Sequence, residues 1–256
     1  MPPQPAHLDP SALGTKAHWD AAYTLELTNF SSNADDEGTI WFSDAGAEER
    51  MLSFLENLSD EGVLVKEAPE DAENAHGAAG GKTLTRFLDL GTGNGHLLFA
   101  LSEEGWQGEM LGVDYSAKSV QLARDIRHSK GDDYTGVRFE QWDILTQNAG
   151  DWLKGGFDVV LDKGTFDAIC LSQEMDTQGR RICEGYRARV EKLVKKGGCF
   201  LITSCNWTEE ELKTWFEVDG GELVFMDKVK YPSFTFGGKS GTSVATLCFT
   251  RRDDAK

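Results

Sequence analysis

An α/β fold built on a mostly parallel sheet is predicted, and three features of the chain predict it. From Leu84 onward, short apolar runs alternate with longer segments of helical period, the pattern of parallel strands joined by crossover helices. Within that pattern Phe87-Leu88-Asp89-Leu90 runs into Gly91-Thr92-Gly93-Asn94-Gly95-His96, then Leu97-Leu98-Phe99. This reads as a buried strand, a turn with glycines at alternate positions, and an apolar helix start. Finally, residues 222–231 and 243–251 are β-rich and flank the glycine-rich Phe236-Gly237-Gly238-Lys239-Ser240-Gly241. They are expected to pair as an antiparallel hairpin at the sheet edge.

In chain order, residues 1–13 are expected to be disordered, and 14–256 to form one domain. A helical preface spans 14–58. Trp19, Tyr23 and Leu27 stand at helical spacing and predict a helix over 16–27, while Met51, Leu52, Leu55 and Leu58 predict a second over 45–58. Residues 60–82, rich in Glu, Asp, Ala and Gly, read as an acidic flexible loop. Strands follow near 85–90, 109–113, 137–141, 157–161 and 199–204, and helices near 96–104, 117–130, 180–194 and 209–217. Ser116 is placed to cap the second of these helices, and Thr208 with Glu211 forms a capping-box pattern for the last. With the terminal pair the sheet has seven strands, and the crossovers put helices on both faces.

The chain has 256 residues, 39% of them apolar, enough for a sizeable core without staples. Five cysteines, Cys170, Cys183, Cys199, Cys205 and Cys248, are scattered without a Cys-x-x-Cys pair, which suits reduced thiols and argues against a disulfide frame or a metal site. No apolar run approaches the ~20 residues that span a bilayer. Met1-Pro2-Pro3-Gln4-Pro5 lacks the basic and apolar regions of a secretory signal. A cytoplasmic monomer, with nuclear access open to it, is the expectation. The net charge of −17 opposes nucleic-acid phosphates and anionic lipid and favours a basic protein partner.

Three acids mark the carboxyl ends of successive strands. Asp89 precedes a Gly-x-Gly-x-Gly turn whose third glycine comes one residue earlier than in the dinucleotide pattern Gly-x-Gly-x-x-Gly. Asp114 ends Met110-Leu111-Gly112-Val113, where an acid can accept from both ribose hydroxyls of a nucleoside. Asp143, beside Trp142 and Ile144, could accept from an exocyclic adenine amine. A helix cap for Asp114 and a loop role for Asp143 are the plain alternatives. Asp162 follows the fourth strand, where it could orient an incoming amine; the alternative is that it pairs with Lys163 or caps the backbone of Thr165-Phe166. Asn206-Trp207 follows the fifth strand and could shape a substrate channel, or Trp207 could lie in the core. Residues 234–238 either meet a substrate or make an ordinary hairpin turn. His96 reads more readily as a packing or capping residue than as a base, and Cys205 has no partner for nucleophilic chemistry.

Phe157-Asp158-Val159-Val160-Leu161-Asp162-Lys163-Gly164-Thr165-Phe166-Asp167-Ala168-Ile169, the glycine turn, and Ser204-Cys205-Asn206-Trp207-Thr208 together resemble the eukaryotic lysine methyltransferases of translation elongation factor 1-alpha. The likeness is to the Efm four-type (methyltransferase-like ten) subgroup and runs from Leu13-Gly14-Thr15-Lys16 through Ile40-Trp41-Phe42 to Phe236-Gly237-Gly238. It implies a Rossmann-like seven-stranded sheet ending in an antiparallel hairpin, with S-adenosyl-L-methionine as cofactor and a lysine ε-amine of elongation factor 1-alpha as acceptor. It places cofactor contacts at Asp89, Gly91, Asp114, Asp143 and Ile144, with Trp41 near the cofactor from the preface. Thr92, Gly93, Gly95, Tyr115 and Asp162 complete the candidate cofactor set, and Lys163, Asn206, Trp207 and Phe236 the candidate substrate channel. Ser43 stands where the family pattern expects glycine, and the acidic stretch near 67–81 looks like an insertion. A non-catalytic scaffold that binds S-adenosyl-L-methionine, and a methyltransferase of another basic protein or a small molecule, are the competing readings. The glycine spacing disfavours an NAD oxidoreductase.

Overall fold

The structure, a computed structural model, describes residues 4–68, 83–232, 234–236 and 239–253. Two helices come first, α1 (Lys16–Ser32) and α2 (Ala47–Asp60). The alternating part follows as β1 (Phe87–Leu90), α3 (His96–Glu103), β2 (Met110–Asp114), α4 (Ala117–Lys130), β3 (Val137–Gln141), β4 (Phe157–Lys163), α5 (Thr165–Cys170), α6 (Tyr186–Leu193), β5 (Val194–Ser204) and α7 (Glu209–Phe216). Four strands close the chain: β6 (Leu223–Val229), β7 (Phe234–Phe236), β8 (Lys239–Gly241) and β9 (Ala245–Arg251).

Seven strands form one sheet in the order β3-β2-β1-β4-β5-β9-β6. The first five in sequence run parallel, and β9 lies antiparallel to both β5 and β6. The predicted terminal pair is thus present, with its second strand inserted between β5 and β6. β1 sits near the middle, and all four of its residues are buried. The register sets Leu90 beside Val113 and Asp162, so the strand ends that carry the acids open on the same edge.

Because side chains alternate across a strand, the sheet feeds two cores. Phe87, Met110, Val159 and Leu201 pack with Met51 and Leu55 of α2, Leu97 and Leu98 of α3, and Val120 and Ile126 of α4. On the other face Leu88, Leu111, Val160 and Phe200 pack with Phe166 of α5, Tyr186 of α6, and Leu212 and Trp215 of α7. Helices therefore cover both faces. The Thr208–Glu211 capping box is formed, whereas the Ser116 hydroxyl leaves its own helix uncapped and donates to Asp20 Oδ1 of α1 at 2.6 Å.

Three expectations need correction. The segment before residue 14 is ordered from residue 4: Leu8 packs on the core, Ser11 N–H donates to Leu171 O at 3.1 Å, and Ala12–Gly14 makes a 3-10 turn. The presumed loop after α2 stays attached through Lys66, because Leu64 is buried and Val65 and Lys66 bond to Thr85 and Gln107. Most of the acidic stretch, 69–82, lies outside the described residues. The helix expected over 180–194 is shorter, a 3-10 turn at Ile182–Gly185 leading into α6, while α5 was not foreseen at all. Residues 234–236 and 239–241 form a two-stranded hairpin, and the side chain of Phe236 lies outside the described residues.

Candidate active site

The turn between β1 and α3 is set by its glycines. Gly91, Gly93 and Gly95 all take left-handed backbone, at φ +63°, +60° and +82°. An alanine Cβ at Gly91 would lie 2.1 Å from Thr165 Oγ1, and one at Gly95 only 2.5 Å from Phe139 Cζ. The chain can therefore pass close to α5 on one side and to β3 on the other only because these side chains are missing. What remains is a concave strip of backbone at the carboxyl edge of the sheet, where open α/β folds bind ligands.

Residues from several elements surround this strip. Asp89 of β1 and Gly91, Thr92 and Gly93 of the turn share a small cleft with Tyr23 of α1, Thr39 and Trp41 of the following loop, and Lys163 of β4. Asn94, His96 and Leu97 complete it. Trp41 stands at the rim, 41% exposed, with its ring edge-on to Trp19. Its carbonyl accepts from Lys163 Nζ at 3.0 Å, which clips the preface to the end of β4.

The acids are held differently from one another. Burial pushes the Asp89 carboxyl up to about 7, opposed by the Thr92 hydroxyl and the charge of Lys163. Asp114 is likewise raised by burial, to about 6, with the Ser116 N–H working against the shift. Its Oδ1 accepts from Ser116 N–H at 2.8 Å and its Oδ2 from Gly93 N–H at 3.3 Å, so the carboxylate ties the start of α4 to the glycine turn. Asp143 caps its own turn, accepting from Leu145 N–H and from Thr146 Oγ1, and Ile144 N–H has no acceptor among the described residues. Tyr115 is half-buried, with Lys16 Nζ 5.4 Å above its ring.

Two candidate residues are placed away from an incoming substrate. Asp162 is completely buried: Oδ1 accepts from Thr165 N–H at 2.8 Å, and Oδ2 from Phe166 N–H at 3.1 Å and Tyr186 Oη at 2.6 Å. It caps α5 and braces α6, so the amine-orienting role falls and the capping alternative holds. Trp207 is 4% exposed and packs against Phe166 and Trp215, which makes it a core residue rather than a channel wall. Asn206 is exposed beyond β5, its N–H donating to Ser204 Oγ.

Sequence reasoning missed Tyr23, Thr39, Asn94 and Glu48. Glu48 of α2 is 5% exposed, and its Oε1 lies 2.6 Å from His96 Nδ1. Tyr23 was visible only as a member of a helical stripe and Glu48 only as a polar residue of the second helix, and nothing in the order of residues ties either to the glycine turn. No helix among the described residues is long and apolar enough to cross a membrane.

A methyltransferase-domain family model matches residues 82–241. Protein-lysine N-methyltransferase EFM4 of Saccharomyces cerevisiae is 42% identical over 249 residues, spanning 97% of this chain and 98% of its own. EEF1A lysine methyltransferase 2 of Homo sapiens is 36% identical over 242 residues, spanning 94% of this chain and 88% of its own. Among solved structures, magnesium protoporphyrin IX methyltransferase of Synechocystis, crystallised with bound SAM, shares the fold at a TM-score of 0.52 and 13% identity, over 90% of this chain and 97% of its own. The glycine cradle, the acids on adjacent strand ends and the full-length likeness agree, and the chain belongs to the family of protein-lysine N-methyltransferases that includes EFM4 and EEF1A lysine methyltransferase 2.

Proposed function

We propose that this chain transfers a methyl group from S-adenosyl-L-methionine to a lysine ε-amine of translation elongation factor 1-alpha. The observation that carries the reading is the side-chain-free cradle at Gly91 and Gly93, flanked by Asp89 and Asp114, in a chain similar over nearly its whole length to protein-lysine N-methyltransferases, among them EEF1A lysine methyltransferase 2. The cradle suits the cofactor, since Gly93 faces the cleft without a side chain, where an added Cβ would stand 3.0 Å from Tyr23 Oη. When bound, S-adenosyl-L-methionine supplies a methyl group already activated on a sulfonium.

The protein's part is mainly placement, and holding reactants in attack geometry contributes roughly 7–11 kcal/mol in favourable cases. In this reading Asp114 would accept from the vicinal ribose hydroxyls, and Asp89 would set its carboxyl against the cationic end. Asp143 and Ile144 stand at the next strand end for the base, with Tyr115 beside them. Trp41 and Tyr23 line the cleft beside the glycine strip. The acceptor must arrive with a neutral amine although a free lysine titrates at about 10.4, so the cleft must take or pass on one proton. A net charge of −17 draws a basic protein surface and repels phosphate backbones, which supports a protein substrate, action as a monomer, and no docking on nucleic acid or membrane.

The test is transfer of labelled methyl into purified elongation factor 1-alpha, with Asp89→Ala as control and the modified residue mapped by mass spectrometry. Label on a lysine, lost in the control, is expected. Cofactor binding without label in this factor would point to another substrate. Failure to bind S-adenosylhomocysteine would overturn the methyltransferase reading.

A further inference from the structure

His96 opens α3 directly behind the glycine turn, and its ring lines the same cleft as Asp89, Trp41 and Lys163. Its Nδ1 lies 2.6 Å from Oε1 of Glu48, a carboxylate brought from α2 and almost fully buried. The Glu48 side chain accepts from Nδ1–H, which fixes the tautomer and leaves the lone pair of a neutral imidazole on Nε2. Among the described residues Nε2 has no hydrogen-bond partner, and the side chain keeps 32% of its surface. The second carboxylate oxygen of Glu48 has no hydrogen bond either and faces Lys163 Nζ at 3.7 Å. An acid fixed behind a histidine whose far nitrogen is free, at the edge of a cofactor cradle, is the arrangement of an oriented base.

We propose that His96, oriented through Nδ1 by Glu48, accepts at Nε2 the proton that the substrate lysine ε-ammonium must lose before methyl transfer. The proposal rests on the lysine reading above. In the step itself the N–H bond of the ammonium breaks, its electron pair stays on nitrogen as the nucleophile, and the proton forms an N–H bond at Nε2. The imidazolium is held by the Glu48 carboxylate and returns its proton to solvent after turnover. Glu48 is a positioning residue in this scheme. Lys163, bound to the Trp41 carbonyl, sits on the opposite side of Glu48 and keeps that carboxylate from drawing the substrate amine to itself.

The charged and titratable groups that face the imidazole are Glu48 from α2, Glu37 from the loop after α1, and Lys163 from β4, with Asp89 and Tyr23 on the same cleft. The hydrogen bond to Glu48 leads in raising His96 above its ordinary value, burial opposes, and Glu37 adds to the rise while Lys163 subtracts. Glu37 is itself paired with Lys130 at 2.9 Å.

Three measurements on the full chain decide the matter. NMR titration of the histidine rings should show His96 titrating above about 6.5 in the free enzyme, with a downward shift in Glu48→Gln. Calorimetry with S-adenosylhomocysteine should give His96→Gln an affinity within about twofold of the parent, a 1.4 kcal/mol change being tenfold. Methyl transfer at saturating cofactor should then lose about 100-fold in kcat in His96→Gln, the low end of what a positioned base contributes. The pH profile should lose the bend that tracks the His96 titration, and Glu48→Gln should move that bend toward lower pH. An active parent alongside a His96→Gln variant with unchanged kcat and unchanged bend would overturn the proposal and leave the lysine reading standing. A parent that binds cofactor but methylates no lysine would overturn both.

Discussion

Replacing Gly91 by alanine tests whether the turn is built by steric exclusion. The new Cβ would stand 2.1 Å from Thr165 Oγ1 and 3.1 Å from Thr165 Cβ and Cγ2, on backbone at φ +63°. Left-handed backbone costs an alanine about 1 kcal/mol. The Thr165 hydroxyl, which donates to Leu90 O at 2.6 Å, must swing away. That loses a bond worth about 1 kcal/mol. The crowding left at 3.1 Å costs roughly another 1 kcal/mol. Gly91→Ala should therefore lose about 3 kcal/mol, or roughly 6–12 °C in Tm for a chain of this size. Thr165→Ala alone should lose about 1 kcal/mol, its hydrogen bond. The double variant has no hydroxyl and keeps only the 3.1 Å contact between the two Cβ atoms, so it should lose about 2–3 kcal/mol rather than the sum of about 4. Urea unfolding followed by tryptophan fluorescence measures all three. Losses that add to within about 0.5 kcal/mol would refute the reasoning, because they would mean that the glycine relieves no conflict with Thr165.

The remaining predictions concern the buried acids and the rim. Asp114→Asn should weaken S-adenosylhomocysteine binding by about 10- to 100-fold, since hydrogen bonds to a charged acceptor contribute about 1.5–3 kcal/mol. In the parent, that affinity should fall as pH drops through about 6, where the Asp114 carboxyl protonates, and the step should vanish in the variant; calorimetry across the range reads both. Asp162 is pushed up to about 7 by burial, more than the Tyr186 hydroxyl holds it down. The folded state therefore keeps a proton that the unfolded chain releases at its ordinary carboxylate value, so this group makes stability fall as pH rises from about 4 to about 7. Asp162→Asn cannot ionise and should flatten that slope in pH-dependent urea unfolding. Tyr186→Phe removes the hydroxyl that Asp162 accepts from and should cost about 1–3 kcal/mol while leaving cofactor affinity unchanged. Trp41→Ala should lower cofactor or substrate affinity by calorimetry with Tm within about 2 °C of the parent, because a rim residue away from the core carries little stability.

The sheet was legible where local chemistry and tertiary packing agree. Asp89, the alternate glycines and the Leu97-Leu98-Phe99 start define a strand, a turn and a helix by residue type alone, and the structure has them there. The Thr208–Glu211 cap is equally local, three residues apart. α5 was hidden because six residues make little more than one turn, too short for a period to register. Asp162 misled for a related reason: the sequence places a carboxylate at a ligand-binding edge, but only the turn of α5 shows that two N–H groups and a tyrosine hydroxyl already occupy it. Trp207 was ambiguous because an aromatic after a strand can face either way, and the rings of Phe166 and Trp215 decide it. The pairing of Glu48 with His96 joins residues 48 apart in sequence through the packing of α2 beside α3, which no spacing rule encodes.

The place of β9 constrains the order in which the molecule can assemble. Everything that builds the cradle, from Asp89 through Thr165, precedes it in sequence, yet β9 enters the sheet between two strands that come before it. Until β9 arrives, β5 presents an open edge in which Cys199, Phe200, Leu201 and Ile202 have no ladder partner on one side. Such an edge is a template for another chain's strand. A partly synthesised chain with a complete cradle would still carry this adhesive seam, and insertion of β9, which pairs with residues far back in the sequence, is the slow kind of step. Chains stopped before Ala245 should accumulate as aggregates rather than as weakened enzyme, and stability lost in β9 should surface first as poor yield.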